Sequence, residues 1–292
     1  MGGYKRYILL TLAAILIVGP VYDGGAGANV KIRSADVERG HSLKIMSFNI
    51  AVSGTFSDSW RKRRGGCVEM IHTERPDILG VQEARKGQLN YIDFYAKGYR
   101  RVGVGRDNGG HKGEHCAVYY DTERFSLLRN GDFWLSETPD VPSRGWDAAK
   151  KRVVTWVCLR DRFTGHNLYV FNTHLDYKGA VAQEESVRLL LERMNGIVPE
   201  DAIAIVSGDL NVQSDNEVLD PLKEIMVCAR SEAAESDEHL SFNAWGKDRG
   251  QANIDFIFVR HATPVRFKTH TGDYGSGRLI SDHYPISAEL VY

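Results

Sequence analysis

Short apolar runs recur along this chain and limit what it can fold into. Most of the runs are rich in Val, Ile and aromatic residues and are bounded by Gly, Asn or Asp, a pattern that favours β-strands. They are too numerous for one small sheet, and strands that are apolar on both faces need cover on both faces. The runs lie at residues 43–48, 78–81, 117–120, 153–159, 168–171, 202–206, 254–259 and 286–291.

Helical patterns separate several of these runs. The clearest is at residues 180–194, where apolar residues recur at the i, i+3, i+4, i+7 spacing of one helix face. Residues 60–73 are a second candidate, and residues 215–226 are a third, which Pro221 limits. Interleaved strands and helices of this number predict an α/β protein with two sheets packed face to face and helices outside.

Composition and charge exclude several classes of protein. Hydrophobic residues make up 42% of the chain, and 37 Lys and Arg residues nearly balance 38 Asp and Glu residues, for a net charge of -1. These values exclude a disordered chain and a multi-span membrane protein, and they argue against a strongly basic protein that coats nucleic acid. We expect a monomer, and no feature of the sequence indicates an obligate protein partner.

The first residues have the pattern of an export signal. Lys5 and Arg6 precede a short apolar run, and small residues up to Ala28 provide an A-x-A-like cleavage site. We therefore expect a signal peptide at residues 1–28, an N-terminal extension at residues 29–41 and one domain at residues 42–292. The protein would be secreted or periplasmic, and the alternative is a membrane tether formed by an uncleaved signal anchor.

The chain has four cysteines, which are too few for a disulfide scaffold. In an exported protein they can pair in three ways, and the sequence does not choose among these pairings. Buried free thiols are the alternative.

Polar residues stand where the apolar runs begin or end, and we expect Ser281-Asp282-His283 to begin the last strand. A strand buried on both faces accommodates such residues at its end more easily than in its middle. Several strand ends at one edge of a sheet form a crevice lined by convergent polar groups. This lining is rich in carboxylates and contains no cysteine, which suits Mg²⁺, with Mn²⁺ or Ca²⁺ as alternatives, better than structural zinc. Each residue alone is typical of an ordinary turn or cap, but the ordered set is harder to explain that way. The residues are Asn49, Glu83, His174, Asp209, Asn211, Asp255, Asp282 and His283.

A basic run, Arg61-Lys62-Arg63-Arg64, begins the second helix candidate. A run of this kind is more typical of a solvated helix face than of a contact for an anionic substrate.

The chain resembles the endonuclease/exonuclease/phosphatase family, which includes deoxyribonucleases, abasic-site endonucleases, deadenylases, sphingomyelinases and inositol-polyphosphate 5-phosphatases. The resemblance covers nearly all of the domain and implies a four-layered αββα sandwich with a divalent metal at one end. The segments that carry it are Met46-Ser47-Phe48-Asn49, Val81-Gln82-Glu83, Asn172-Thr173-His174-Leu175-Asp176, Gly208-Asp209-Leu210-Asn211, Ile254-Asp255-Phe256-Ile257 and Ser281-Asp282-His283-Tyr284-Pro285-Ile286.

Two further features refine the resemblance. The segment Arg152-Val153-Val154-Thr155-Trp156 is similar to a bacterial branch akin to deadenylase-type domains. Tyr177 stands where related bacterial sequences often carry a second histidine, and Ala180-Val181-Ala182-Gln183 lacks their usual arginine. These departures bear on the substrate and leave the metal and acid–base residues intact.

The resemblance also implies roles for individual residues. Glu83 would be the principal metal ligand, supported by Asn49, with Asp282 as a further ligand. Oxygen ligands of this kind leave positions for water and substrate, as Mg²⁺ prefers.

The remaining residues would carry the hydrolysis. Asp209 would orient or deprotonate the attacking water, and Asn211 would hold that water or the phosphate. Asp255 would fix the tautomer of His283, and either Asp209 or His283 could take the water proton. His174 and Arg152 would donate to phosphate oxygens.

The function that follows is a secreted, metal-dependent phosphodiesterase acting on nucleic acid, with endo- and exonuclease action both open. The alternative is a lipid or inositol phosphate phosphodiesterase or phosphatase of the sphingomyelinase kind. A non-catalytic binding module of the same fold is a third hypothesis, which the complete acid–base and metal set disfavours.

Overall fold

The computed structural model describes residues 42–54, 59–247 and 250–292 of the chain. The predicted signal peptide at residues 1–28 and the extension at residues 29–41 lie outside the described residues. Among the described residues, no helix combines the length and the apolar character that crossing a membrane requires.

The first sheet has seven strands in the order β10-β12-β13-β1-β2-β4-β3. The neighbours β1 and β2 run parallel, and β13 lies antiparallel to β1. The carboxyl ends of β1 and β2 therefore meet at one edge of the sheet. The strands are β1 (Leu43–Asn49), β2 (Ile78–Ala84), β3 (Tyr99–Val102), β4 (His115–Asp121), β10 (Glu235–Ser236), β12 (Thr263–Thr269) and β13 (Ile286–Val291).

The second sheet has six strands in the order β5-β6-β7-β8-β11-β9. Its central neighbours β7 and β8 are parallel, and β11 is antiparallel to β8. The end of β8 therefore lies beside the start of β11. The strands are β5 (Phe125–Trp134), β6 (Val153–Asp161), β7 (Asn167–His174), β8 (Ile203–Asp209), β9 (Val227–Cys228) and β11 (Asp255–Arg260).

Helices cover the outer face of each sheet. Apolar residues of α1 and α2, including Trp60, Met70 and Leu89, pack with Phe48 on the first sheet. The helix α3 covers the second sheet, and a further apolar layer fills the space between the sheets. This arrangement confirms the predicted αββα sandwich. The helices are α1 (Trp60–Glu74), α2 (Lys86–Tyr95), α3 (Ala180–Ile197), α4 (Asp220–Ile225) and α5 (Ala229–Glu232), with single 3₁₀ turns at Glu217–Leu219 and Ala244–Gly246.

Two buried amides connect the sheets beneath the edge where β2 and β7 end. Gln82 Nε2 donates to Asn172 Oδ1 at 2.7 Å. Asn172 Nδ2 donates in turn to the backbone oxygens of Val81 at 3.0 Å and Ala117 at 2.9 Å, both in the first sheet. Since buried polar groups are costly without partners, this amide bridge fixes how the two sheets lie against each other.

The predicted elements are confirmed with three corrections. The helix predictions at 180–194 and 60–73 correspond to α3 and α1. The prediction at 215–226 is wrong as one helix, because a 3₁₀ turn precedes the short α4, in which Pro221 occupies the first turn. The last strand begins at Ile286, so Ser281-Asp282-His283 lies in the preceding loop.

The third correction concerns the basic run, because Arg63 is only 1% exposed and does not lie on a solvated helix face. The four cysteines, for which pairing was left open, are all free thiols in this structure.

Candidate active site

The strand ends bring the predicted residues to one end of the sandwich. Asn49 and Asp209 end β1 and β8, and Asp255 begins β11 directly opposite Asp209. The loop before β13 adds Asp282 and His283 to the same region. The parallel pairs β1–β2 and β7–β8 explain this convergence, because parallel neighbours end at the same edge.

The side chain of Asn49 lies at the centre of the site. Its Nδ2 atom is 3.2 Å from Glu83 Oε1, 2.9 Å from Asp209 Oδ2 and 3.4 Å from His283 Nε2. Its Oδ1 atom accepts from the backbone N–H of Ala51 at 3.0 Å. The predicted role of Asn49 as a metal ligand therefore requires rotation of the amide, so that the oxygen faces Glu83.

Glu83 has an unusual backbone for a strand residue. Its φ of 60° lies in the left-handed region, next to a bulge in the pairing of β2 with β4. Such a conformation costs about 1 kcal/mol or more and is found mainly at functional sites. The carboxylate is fixed by the backbone N–H of Val52, which donates to Glu83 Oε2 at 2.8 Å.

Asp209, Asn211 and His174 form one hydrogen-bonded group. Asp209 Oδ1 accepts from the backbone N–H of Asn211 at 3.0 Å, and Asn211 has a left-handed φ of 53°. That turn places Asn211 Nδ2 at 2.9 Å from His174 Nε2, which is itself 3.4 Å from Asp209 Oδ2. The predicted neighbours Asp209 and Asn211 therefore do face the same space.

Asp255 contacts His283, the residue whose tautomer the resemblance predicts it to fix. Asp255 Oδ2 is 2.7 Å from His283 Nδ1, and His283 Nε2 lies 3.7 Å from Asp209 Oδ2. Burial alone would lower the pKa of His283, but the carboxylates of Asp255 and Asp209 outweigh it and raise the pKa to about 10. Burial raises the pKa of Asp209 to about 7, with His283 opposing the shift and Asp255 adding to it.

Arg152 and His174 are two buried nitrogen-bearing side chains of the site. Arg152 is buried, its Nε atom is 3.4 Å from Asp176 Oδ2, and its Nη1 atom has no hydrogen-bond partner among the described residues. Burial lowers the pKa of His174 well below its usual value, and the charge of Arg152 adds to the effect. His174 is therefore a neutral imidazole near neutral pH. The unpaired nitrogen of Arg152 is costly unless an anion binds there.

The carboxylates at this end suit a divalent cation. Burial raises the pKa of Asp282, and the neighbouring Glu83 adds to the effect against the opposing His283. Asp255 Oδ1 is buried and has no partner among the described residues. Carboxylate oxygens that lie close together and lack enough neighbouring positive charge are suitable ligands for Mg²⁺, Mn²⁺ or Ca²⁺.

Asp209 also belongs to a second group of possible metal ligands. Ligand atoms of Asp209, Asp255 and His283 all lie within 4.8 Å of one another. For all three to bind one ion, the hydrogen bond between Asp255 and His283 would have to break. The carboxylates of Glu83 and Asp209, which both contact Asn49 Nδ2, are the alternative oxygen ligands, and Asp282 is close enough to Glu83 to interact with it electrostatically.

The sequence motifs assigned no role to Asp176, which holds two backbone segments next to Arg152. Its carboxylate accepts backbone N–H groups from two segments, Ala149 and Lys150 on one side and Lys178 and Gly179 on the other. It also pairs with Arg152. Its position two residues after His174, at the end of a strand, is the signal that could have indicated this role.

Comparison with known proteins places this site in a family. The model of the Endonuclease/Exonuclease/phosphatase family matches residues 46–283. A solved Bacteroides thetaiotaomicron protein of that family is 32% identical, covering 86% of this chain and 98% of its own, with a TM-score of 0.80. The B. thetaiotaomicron mannosyl-6-phosphatase Bt3783 is also 32% identical, covering 86% of this chain and 100% of its own, with a TM-score of 0.80.

A more distant similarity extends to an enzyme–DNA complex. D. rerio TDP2, solved with a single strand DNA product, is 18% identical, covering 86% of this chain and 99% of its own, with a TM-score of 0.71. At this identity the similarity establishes the shared fold alone.

Proposed function

The chain belongs to the endonuclease/exonuclease/phosphatase family, and we propose that it hydrolyses a phosphate monoester on a small carbohydrate. Members of this family are divalent-metal-dependent phosphoric ester hydrolases, and this chain is one of them. The observation that carries the chemistry is the meeting of Glu83, Asp209 and His283 around Asn49. The substrate class is supported by the similarity to the mannosyl-6-phosphatase along nearly its whole length.

Three side chains would bind the phosphoryl group. Arg152 Nη1 needs an acceptor, and phosphoryl oxygens are strong acceptors for a guanidinium. Asn211 Nδ2 directs its two hydrogens at His174 Nε2 and Leu175 O, so Asn211 and neutral His174 would donate to a phosphoryl group after this contact is exchanged for the substrate. Preorganised donors stabilise the charge that develops on these oxygens during hydrolysis.

Asp209 and His283 would act on the attacking water and the reacting oxygens. Asp209 Oδ2 faces the same space as His283 Nε2, so that the two can hold one water molecule between them. Asp255 binds Nδ1 of His283 and so keeps Nε2 directed at this space. A fixed orientation of these groups reduces the entropy lost when water and phosphate react.

Glu83 and Asp282 would hold the cation, with Asn49 as a third ligand after its amide rotates. We propose Mg²⁺ as this ion, which supplies Lewis-acid neutralisation of the phosphoryl charge when bound.

A nuclease is the second candidate, favoured by basic residues near the helix starts. Arg61, Lys62, Arg85 and Lys86 are exposed, and Arg85 is close enough to Glu114 to interact with its carboxylate electrostatically. A polyanionic nucleic acid would neutralise these charges, whereas a small phosphosugar would not need them.

One screen separates the two candidates. We would incubate the purified chain and Mg²⁺ with mannose 6-phosphate, other hexose phosphates, single- and double-stranded DNA, and RNA. The proposal predicts release of inorganic phosphate from a sugar phosphate, with Asp209→Asn as the inactive control. Cleavage of nucleic acid without phosphate release from any sugar would overturn it in favour of the nuclease.

We also propose that residues 1–28 direct export of the protein. N-terminal sequencing of the protein recovered from the medium or periplasm would test this, and a chain that retains its first 28 residues would favour the membrane tether instead.

A further inference from the structure

Arg63 is a buried cation that pairs with backbone oxygens instead of a carboxylate. No ion pair involves it among the described residues. Its guanidinium donates to Ile50 O, to Ala51 O at 2.5 Å and to Ile280 O at 2.9 Å. The rings of Trp60 and Trp245 lie 5.1 Å and 5.5 Å from its Cζ atom. A buried charge that forms no direct ion pair is expensive, so the contacts that it makes need an explanation.

Two of these oxygens belong to the turn at residues 50–53, which directly follows Asn49. One N–H group of this turn holds a proposed metal ligand directly, because Val52 N donates to Glu83 Oε2. Ala51 N donates to Asn49 Oδ1 and so fixes the Asn49 side chain in the orientation from which its amide would have to rotate to bind a cation. Ala51 has a left-handed φ of 52°, so the turn is strained. Contacts to its carbonyl groups therefore help to keep its N–H groups in place.

The third oxygen belongs to the loop that carries Asp282. Ile280 O accepts from Arg63 and lies 3.5 Å from the thiol of Cys67, which is in α1 as well. The next residue, Ser281, donates through its hydroxyl to Asn49 O at 2.7 Å. Arg63 thus joins the segment after Asn49 to the segment before Asp282.

Gln88 supports the same turn from α2. Its Nε2 atom donates to Ala51 O at 3.0 Å, and its Oε1 atom accepts from Ser53 N at 3.0 Å. The turn is therefore held by one residue from each helix that covers the first sheet.

We propose that Arg63 is a positioning residue for the metal ligands: its guanidinium fixes the turn 50–53 and the Asp282 loop at the distance that cation binding requires. This inference rests on the proposed metal site. The planar guanidinium is suited to the task, because it directs several donors along fixed directions, whereas a lysine ammonium cannot hold three carbonyls in this arrangement. The positive charge also lies close enough to Asp282 and Glu83 to interact with both carboxylates.

The test compares Arg63→Lys with a matched variant at the other end of the sandwich. Arg124 is equally buried and also binds a backbone oxygen, Ser42 O, but it is remote from Asn49. Binding of Mn²⁺ and Mg²⁺ would be measured calorimetrically on the full chain, together with the melting temperature. We expect R63K to weaken cation binding about tenfold or more, the equivalent of about 1.4 kcal/mol. R124K should lower the melting temperature while cation affinity stays within about twofold of wild type.

The possible outcomes distinguish the inference from the proposed function. Wild-type cation affinity in R63K would overturn the positioning role and leave Arg63 a purely structural residue. If the wild-type chain itself binds no divalent cation, the proposed metal site fails instead. If R63K does not fold, Gln88→Met perturbs the same turn from the other helix, and an unchanged cation affinity in Q88M would also overturn the inference.

Discussion

Both ends of the sandwich contain buried charged side chains, but the two ends differ in how completely the polar atoms of these side chains are hydrogen-bonded. At the far end, Arg124 binds Asp161 through two nitrogens at 3.0 and 2.8 Å, and Tyr292 donates to the same carboxylate at 2.6 Å. None of the buried atoms of these three residues lacks a partner. At the site end, buried atoms of Asp255 and Arg152 have none among the described residues.

The carboxylates of the two ends differ accordingly. Asp161 is 0% exposed and Asp209 is 1% exposed. Burial would raise the pKa of Asp161, but Tyr292 and Arg124 outweigh it and lower the pKa below its usual value. The pKa of Asp209 is raised to about 7 instead. For these two carboxylates, burial alone therefore does not predict the direction of the pKa shift, because the neighbouring groups decide it.

Asp209→Asn should have the largest effect, because we expect it to lower the activity and to raise the stability of the fold. We expect phosphate release to fall about 10³-fold, as for loss of a general base. A raised pKa means that the fold disfavours the ionised form, so removing the charge should raise the melting temperature at pH 8 in a metal chelator. Kinetics and thermal unfolding of the same preparation test both parts. A variant that is inactive and also less stable would contradict the contrast between the ends.

Asp161→Asn should have the opposite outcome. Without its carboxylate, the guanidinium of Arg124 is left buried and only partly compensated, which costs about 3 kcal/mol of unfolding free energy. Urea denaturation measures this loss. The turnover number under conditions where the variant is folded should stay within about twofold of wild type, and a large loss of turnover would mean that the two ends are coupled.

Arg152→Met should reduce the rate with little effect on the fold. Removing one preorganised donor typically costs about 10²-fold in turnover. The unpaired Nη1 atom contributes no hydrogen bond to the folded state, so the unfolding free energy should change less than in Asp161→Asn. Steady-state kinetics and urea denaturation check the two expectations, and near-normal turnover would remove Arg152 from the phosphate-binding group.

The smallest expected effect is the change with pH in the contribution of Asp161 to the free energy of unfolding. The pKa of Asp161 in the folded chain lies below its unfolded value of 3.8. Its stabilisation is therefore fully present above pH 3.8 and is lost as the pH falls through the lower folded value. The difference in unfolding free energy between wild type and Asp161→Asn should shrink in that window, and a difference that grows on acidification would show that the sign is wrong.

Strands with strong apolar patterns were predictable, and weakly patterned elements were not. The helix α2 buries only Gln88, Leu89 and Ile92, so its sequence lacks a clear apolar stripe. The strand β12 contains Pro264 and exposed residues, and β5 has a polar middle, since both lie towards sheet edges. Such elements owe their structure to neighbours that local sequence does not reveal.

The sequence predicted which residues form the site, but it did not predict the contacts that hold these residues in place. Strand ends and motifs identified the residues that meet at one end, because topology alone brings them together. The orientation of the Asn49 amide, the turn at Ala51 and the burial of Arg63 depend on contacts between distant segments. A run of four basic residues gives no local indication that one member points inward, because its helix pairs that position with carbonyls more than ten residues away.

The amide bridge between Gln82 and Asn172 has a consequence for how this architecture can diverge. A methyl group at Gly80 would come within 2.7 Å of Asn172 Oδ1 and 2.9 Å of Ser207 Oγ, so this position tolerates no side chain. If one sheet moved past the other by one residue, both amides would lose their hydrogen-bond partners in the apolar interior. Each loss would cost about 2 kcal/mol or more. A change of substrate preference would therefore cost less in the loops at the sheet edges than in any rearrangement that moves one sheet against the other.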